Sequence, residues 1–495
     1  MIFLGIDSGT QSTKTIALDL ETGEILSQAQ ESYEMVAGLP PGHLEQDPQV
    51  WIDAVENTVG AVLSDLGDRK QEVGGIGVSG QQHGLVVLDS GDEVVRPAKL
   101  WCDTSTTEQC DRFAAEFGGA SGLVELAGNS ILPGYTIPKL LWLKDHEPDN
   151  FAKVANILLP HDYINFWLSG VKRMEFGDAS GMGILDLRTR EWRWELVEFV
   201  DPSVREMLPP LGSSLEVHGI IRAELAERWG LPAETVVSAG GGDNMMGAIG
   251  TGNIASGTIT ASFGTSGTLY GVSDTPIVDP QGEVAAFCDS TDHWMPLVCT
   301  MNVTVATETM RSLFGMEIND LEVAVSSAKP GADGMSFLPY LNGERTPNLP
   351  DSSGVFHGLR PDNTTKENMA RAAMEGATLG LAYGLRRFRE LGLEPTEIRL
   401  TGGGTKSPTW RQISADAFGV PVVGLATSEG AALGGAIQAA YARKRADGEE
   451  ESYESLCGRL VALDETTRCD PQDAEKALYA DKLDHQMELT RKMFG

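Results

Sequence analysis

Short apolar runs, each closed by a glycine turn, set the rhythm of this chain. Residues 2–6 form one such run. The turn Asp7-Ser8-Gly9-Thr10-Gln11-Ser12-Thr13 follows, and a β-like run resumes at Lys14. This pattern predicts a three-strand meander over residues 2–6, 13–20 and 25–33, with a turn at 21–24. Residues 51–66 change period: Trp51, Ala54, Val55, Val59 and Val62 fall on one face of a helix. A buried strand is expected at 73–78, helical or mixed segments at 138–145 and 151–158, and a strand at 234–239 that Gly240-Gly241-Gly242 breaks.

The second half repeats the theme. A short run at 258–261 leads into Ser262-Phe263-Gly264-Thr265-Ser266-Gly267-Thr268, and a second β run follows at 269–272. The spacing predicts a hairpin over 258–272, a third strand at 283–288, and helices at 305–314, 321–328 and 366–391. A strand at 397–400 ends in Thr401-Gly402-Gly403-Gly404. Then come a helix at 410–418, a short strand at 422–423, a Gly/Ala-rich helix at 429–442 and a polar helical tail over 471–494. Each half reads β-β-β-α-β-α-β-α with insertions, an order that resembles the duplicated ribonuclease-H-like fold of actin, hexokinase and Hsp70. The expected fold class is α/β, with domains at 1–253 and 254–495 and a nucleotide cleft between them. A hairpin with a Gly-Thr turn can converge its backbone N–H groups on an anion. Two of them suggest two domains gripping one polyphosphate.

Composition narrows the partners. A chain of 495 residues is long for a single core. Its 71 Asp and Glu against 38 Lys and Arg leave a formal charge of -33, which argues against nucleic-acid and acidic-membrane partners. An anionic substrate such as ATP would have to be received locally, by backbone N–H groups, a few lysines and a divalent cation. The six cysteines form no Cys-x-x-Cys pair, and no segment reads as a signal peptide or membrane span, so a cytoplasmic location with reduced thiols is expected. A homodimer is compatible with the chain and not indicated by it.

Several residues carry candidate chemistry. Asp7 ends a buried strand beside the first Gly-Thr loop, where a carboxylate can hold magnesium against phosphates. Asp243 follows three glycines and precedes an apolar helix. It reads as an N-cap, and also as an ionised carboxylate able to take a hydroxyl proton during phosphoryl transfer. Gln81-Gln82-His83-Gly84 at a strand end and Trp101-Cys102-Asp103 offer hydrogen bonds and an aromatic face to a polyol, or simply a satisfied loop and a packed Trp. Gly402, Gly403 and Gly404, then Ser407, would let adenosine lie against backbone. Glu344 and Arg345 read as structural residues of a loop.

With these residues in hand, the chain resembles carbohydrate kinases of the FGGY family, and among them the xylulose kinases. The segments that carry the resemblance are Gly134-Tyr135-Thr136-Ile137-Pro138-Lys139-Leu140-Leu141-Trp142-Leu143, and Gly354-Val355-Phe356-His357-Gly358-Leu359 running on to Ala372-Ala373-Met374-Glu375. The resemblance implies ATP-dependent phosphorylation of D-xylulose with Mg²⁺, Asp243 being the general base. It places Asp7, Thr10, Lys14 and Thr265 toward phosphates and magnesium, with Gly9 and Gly264 in the two loops. Gly402, Gly403 and Ser407 would face adenosine. Gln82 and His83 would touch the ketose, and Trp101, Asp103 and Asn244 would complete its pocket. One departure is the absence of an Arg two residues after Asp103, where many relatives have one. A kinase for another polyol (ribulose, gluconate, glycerol) and a nucleotide switch of the actin and Hsp70 kind are the competing readings.

Overall fold

The computed structural model describes residues 1–427 and 429–495. The first half builds β1 (Ile2–Ser8), β2 (Ser12–Asp19), β3 (Ile25–Ser32), α1 (Pro48–Leu66), β4 (Val73–Gly80), α2 (Thr136–His146), α3 (Pro160–Ser169), β5 (Val217–Ile220), β6 (Val236–Ser238) and α4 (Asp243–Gly250). The strands form a sheet in the order β5-β6-β4-β1-β2-β3, and Gly241–Gly242 adds a seventh, short strand on β4. Central β1 is buried on both faces. Ile2, Leu4 and Ile6 meet Trp51, Val55 and Val59 of α1 on one side, while Phe3 joins Ile16 and Leu18 on the other. That is why its sequence is continuously apolar rather than alternating. Helix α1 starts before its apolar stripe because Asp47 accepts from the Gln49 N–H and Pro48 occupies the first turn.

The second half builds β7 (Thr258–Phe263), β8 (Gly267–Gly271), β9 (Ala285–Cys288), β10 (Trp294–Thr300), α5 (Thr304–Leu313), α6 (Ile318–Ser327), α7 (Lys366–Glu390), β11 (Glu397–Thr401), α8 (Pro408–Phe418), β12 (Val422–Leu425), α9 (Gly430–Ala446), β13 (Leu463–Cys469) and α10 (Asp473–Phe494). Its sheet runs β9-β10-β8-β7-β11-β12-β13. Laid over the first with β7 on β1, it repeats both the neighbours and their directions. β7 pairs antiparallel with β8 and parallel with β11, as β1 does with β2 and β4. The duplicated α/β fold is therefore present, with β9 as an extra edge strand.

One local expectation needs correction, and two others are made specific. The third strand beside the second hairpin is β10, not the segment at 283–288, which lies outside it as the edge strand β9. Pro296 within β10 hides it, because proline argues against an interior strand. Residues 151–158, expected as helical or mixed, are mixed. One turn, Pro148–Phe151, is followed by a strand, Asn156–Leu158, that pairs with Val86–Leu88. The glycines do break the strand expected at 234–239: β6 ends at Ser238 and left-handed Gly240 follows, after which Gly241 and Gly242 pair with Ser79 and Gly80 of β4.

Helix α9 belongs to the second half by sequence, yet it lies on the first sheet and on α4. The fit is backbone against backbone. A Cβ on Gly434 would stand 1.8 Å from the Met246 carbonyl oxygen, on Gly250 1.7 Å from that of Gly430, on Gly5 1.8 Å from that of Ala432, and on Gly77 2.0 Å from that of Gly435. We expect Gly434→Ala to destabilise the protein by about 1–3 kcal/mol through overpacking, read as a lower melting temperature. Gly380→Ala in α7, whose added Cβ meets nothing within 4 Å, serves as the control and should melt at or above the wild type. A Gly434→Ala protein melting with the wild type would disprove the close fit.

Candidate active site

The first Gly-Thr loop is tied down by neighbours rather than by its own turn alone. Gly9 N–H donates to the Ser12 carbonyl at 3.0 Å, Tyr33 donates to the Gly9 carbonyl at 2.6 Å and Gln46 to that of Thr10 at 2.7 Å. The Trp101 indole N–H donates to Thr10 Oγ1 at 3.0 Å, which joins the expected sugar side to the expected phosphate loop. Asp7 sits across from Ser79, whose hydroxyl donates to Oδ1 at 2.9 Å. Burial raises its pKa against the pull of Ser79 and Lys14. Lys14 itself pairs with Glu429 at 2.7 Å.

Asp243 opens α4. Its Oδ1 accepts from the Asn244 backbone N–H at 2.7 Å and from the Asn244 side chain at 2.9 Å, and the same amide donates to Gln82 Oε1 at 2.5 Å. Withdrawal from water, then the negative charges of Asp7 and Asp178, push Asp243 up to about 7. These hard oxygen donors and their shared excess of negative charge fit a divalent cation at Asp7. His83 is held from three sides. Its backbone is left-handed at φ 61, and its carbonyl accepts from Thr136 Oγ1 at 3.1 Å and Lys139 Nζ at 2.8 Å. Its Nδ1 lies 3.0 Å from Asp178 Oδ1, and a Cβ on Gly181 would strike the ring at 1.8 Å.

The second loop lies with the glycine turn. A Cβ on Gly402 would stand 2.7 Å from the Phe263 carbonyl oxygen, immediately before Gly264. Gly264 N–H donates to the Ser266 carbonyl at 3.0 Å, and the carbonyls of Gly264 and Thr265 accept from Thr304 and Val303 at the start of α5. Thr265, Gly402 and Gly403 are exposed. Thus the structure groups Asp7, Thr10, Gln82, His83, Trp101, Asp243 and Asn244 on the first domain, and Gly264, Thr265, Gly402 and Gly403 on the second. Ser407 caps α8 by accepting from Trp410 N–H at 3.0 Å, and its hydroxyl donates to Glu322.

Asp103 does not join the first group. It is fully buried, accepting from Leu44 N–H and Lys99 on one oxygen and from the N–H and hydroxyl of Ser105 on the other. Burial alone would raise its pKa, and these donors hold it below the usual carboxylate value. The Lys99 ammonium, 3.1 Å from Glu45 and 2.9 Å from Asp103, sits 3.9 Å above the Trp142 ring and fills the space that His43, Glu45 and Asp103 surround. Asp103 is therefore bound within the loop that carries Trp101.

Sequence reasoning missed Asp178, His161 and Lys139. Asp178 bridges His83 and His161, the latter at 3.2 Å. Despite burial, these two imidazoles hold it at about 2. Lys139, buried in an apolar helix, is pushed down to about 7 by desolvation. A lysine among Ile137, Leu140 and Leu141 was a readable signal. Asp178 carried none, because its partners lie far off in sequence.

The FGGY carbohydrate kinase N-terminal domain profile matches residues 2–250, and the C-terminal domain profile matches residues 259–443. The chain belongs to the FGGY family of carbohydrate kinases. It is 43% identical over 476 residues to the xylulose kinase of Haemophilus influenzae, covering 95% of each chain. Among solved structures it resembles a xyloylose kinase from Brucella ovis, with a TM-score of 0.92 at 30% identity over 100% of this chain and 99% of that one. It also resembles a gluconate kinase from Lactobacillus acidophilus, with a TM-score of 0.91 at 26% identity over 100% and 98%. No helix among the described residues is long and apolar enough to cross a membrane.

The raised Asp243 pKa has a consequence for folding. Unfolded, the carboxylate titrates near 3.8; folded, near 7. Stability is thus lost as pH rises through that window, and the loss is complete above it. We expect Asp243→Asn to melt above the wild type at pH 8, with the gap closing toward pH 4. Equal melting temperatures at all pH values would show that Asp243 is not held in a charge-averse site.

Proposed function

We propose that this kinase transfers the γ-phosphoryl group of ATP to the terminal hydroxyl of D-xylulose, giving D-xylulose 5-phosphate and ADP. The observation that carries the reading is Asp243. It is a half-buried carboxylate at a helix N-terminus, tied through Asn244 to Gln82, on a chain 43% identical to a xylulose kinase. The ketose lies among Gln82, His83, Trp101 and Asn244. Asp243 accepts the hydroxyl proton as that oxygen attacks phosphorus and the bond from phosphorus to the bridging oxygen of ADP breaks. Asp178 and Lys139 hold His83, so the sugar meets a preformed edge.

The nucleotide lies against the second domain, with adenosine along Gly402, Gly403 and the Ser407 turn. The phosphates lie between the two loops, at Gly9, Thr10, Gly264 and Thr265. Asp7 would hold Mg²⁺, which when bound offsets the charge of the phosphates. Lys14 reaches the phosphates by exchanging Glu429 for them.

Asp243→Asn is expected to lower kcat by about 10²–10⁴-fold while ADP affinity stays at the wild-type value, measured by coupled ADP release and by ADP titration. Undiminished turnover in that variant removes Asp243 as proton acceptor. Over a panel of D-xylulose, D-ribulose, gluconate and glycerol, D-xylulose should give the highest kcat/KM. The Lactobacillus gluconate kinase shares the fold at a TM-score of 0.91, so gluconate is the informative competitor. Preference for gluconate or glycerol would overturn the pentulose assignment and leave the kinase chemistry in place.

A further inference from the structure

We propose that Gln438, on α9, is a positioning residue for Asp243. The proposal rests on the reading of Asp243 as the proton acceptor. Gln438 is 1% exposed. Its Oε1 accepts from the Gly240 N–H at 2.7 Å and from Ser238 Oγ at 2.7 Å, and its Nε2 donates to the Gly240 carbonyl at 2.9 Å. One side-chain amide thus satisfies both backbone groups of one residue, as a neighbouring strand would.

Gly240 needs that partner. It is left-handed at φ 72, and a Cβ there would stand 2.8 Å from the Val78 carbonyl oxygen, so the residue occupies a conformation and a space that only glycine fits. Asn165 donates to the carbonyls of Ser238 at 3.2 Å and Ala239 at 2.8 Å. After Gly240, Gly241 and Gly242 pair with β4, and Asp243 is the next residue. Only that two-residue strand separates the peptide that Gln438 grips from the carboxylate that does the chemistry. Without the amide, a buried N–H and C=O would be left without partners, and the peptide would turn to find new ones.

The grip spans 198 residues of sequence and comes from the helix that the second half lays on the first. Asp243 is therefore placed by both halves. A base displaced by a fraction of an ångström loses turnover and leaves substrate and nucleotide binding in place.

The test compares Gln438→Met, close in volume and without hydrogen-bonding groups, with Gln438→Glu, which keeps the acceptor and loses the amide donor. Each is assayed with the best substrate of the sugar panel. The expected result is a fall in kcat of about 10–100-fold, with the sugar KM and the ADP affinity at wild-type values. Whichever variant binds ADP as the wild type does is the one whose kcat decides. If that variant keeps the wild-type kcat, or if neither binds ADP, Gln438 is an adhesive of the fold and the proposal falls. Asp243→Asn is measured alongside. Wild-type turnover in Asp243→Asn would bring down the base assignment, and this proposal with it. An inactive Asp243→Asn beside a fully active Gln438 variant would bring down this proposal alone.

Discussion

Everything in this molecule turns on a contact made of almost nothing: the bare backbone of α4 and α9 against each other and against β1 and β4. Gly5, Gly77, Gly250 and Gly434 have no side chain because a carbonyl oxygen already lies where the Cβ would go. Close approach of this kind maximises dispersion contact and permits very little sliding. It fixes α4, and α4 begins with Asp243. It fixes α9, and α9 carries Gln438. The expected catalytic carboxylate and the joint between the halves are thus parts of one packed unit.

Around that unit the charges are arranged so that the acids stay uncomfortable. Asp7 and Asp243 are both pushed up by burial, and the charge of Asp7 pushes Asp243 further. Asp178 lies nearby and is the opposite case, satisfied by two imidazoles and fully ionised. A site with this imbalance attracts cations and protons. With an overall charge of -33, the chain must receive a polyphosphate through local groups rather than through its net charge.

The sequence was legible where short-range pattern decides structure. The run from Ile2 to Ile6 announced a buried strand, and Gly9-Thr10 and Gly264-Thr265 announced the two hairpins. Asp243 was visible because three glycines precede it. What stayed hidden was set by distant partners. Pro296 masked β10, whose place is secured by β8 and β9 together. Asp103 had the residue type of a sugar ligand, and only the fold shows that Lys99 and Ser105 saturate it. The return of α9 to the first sheet is not written in any periodicity, because small residues at 430–442 are compatible with many close packings.

That return also bears on how the chain is made. The face of the first sheet carrying Phe3, Ile16 and Leu18 is covered by Ala432, Ala436 and Ala440 of α9. During synthesis these residues leave the ribosome well before Ala432, Ala436 and Ala440, which cover them. Until α9 emerges, that apolar face of the first sheet lacks its cover. The joint between the halves thus leaves one face of the first sheet without its cover until α9 has been made.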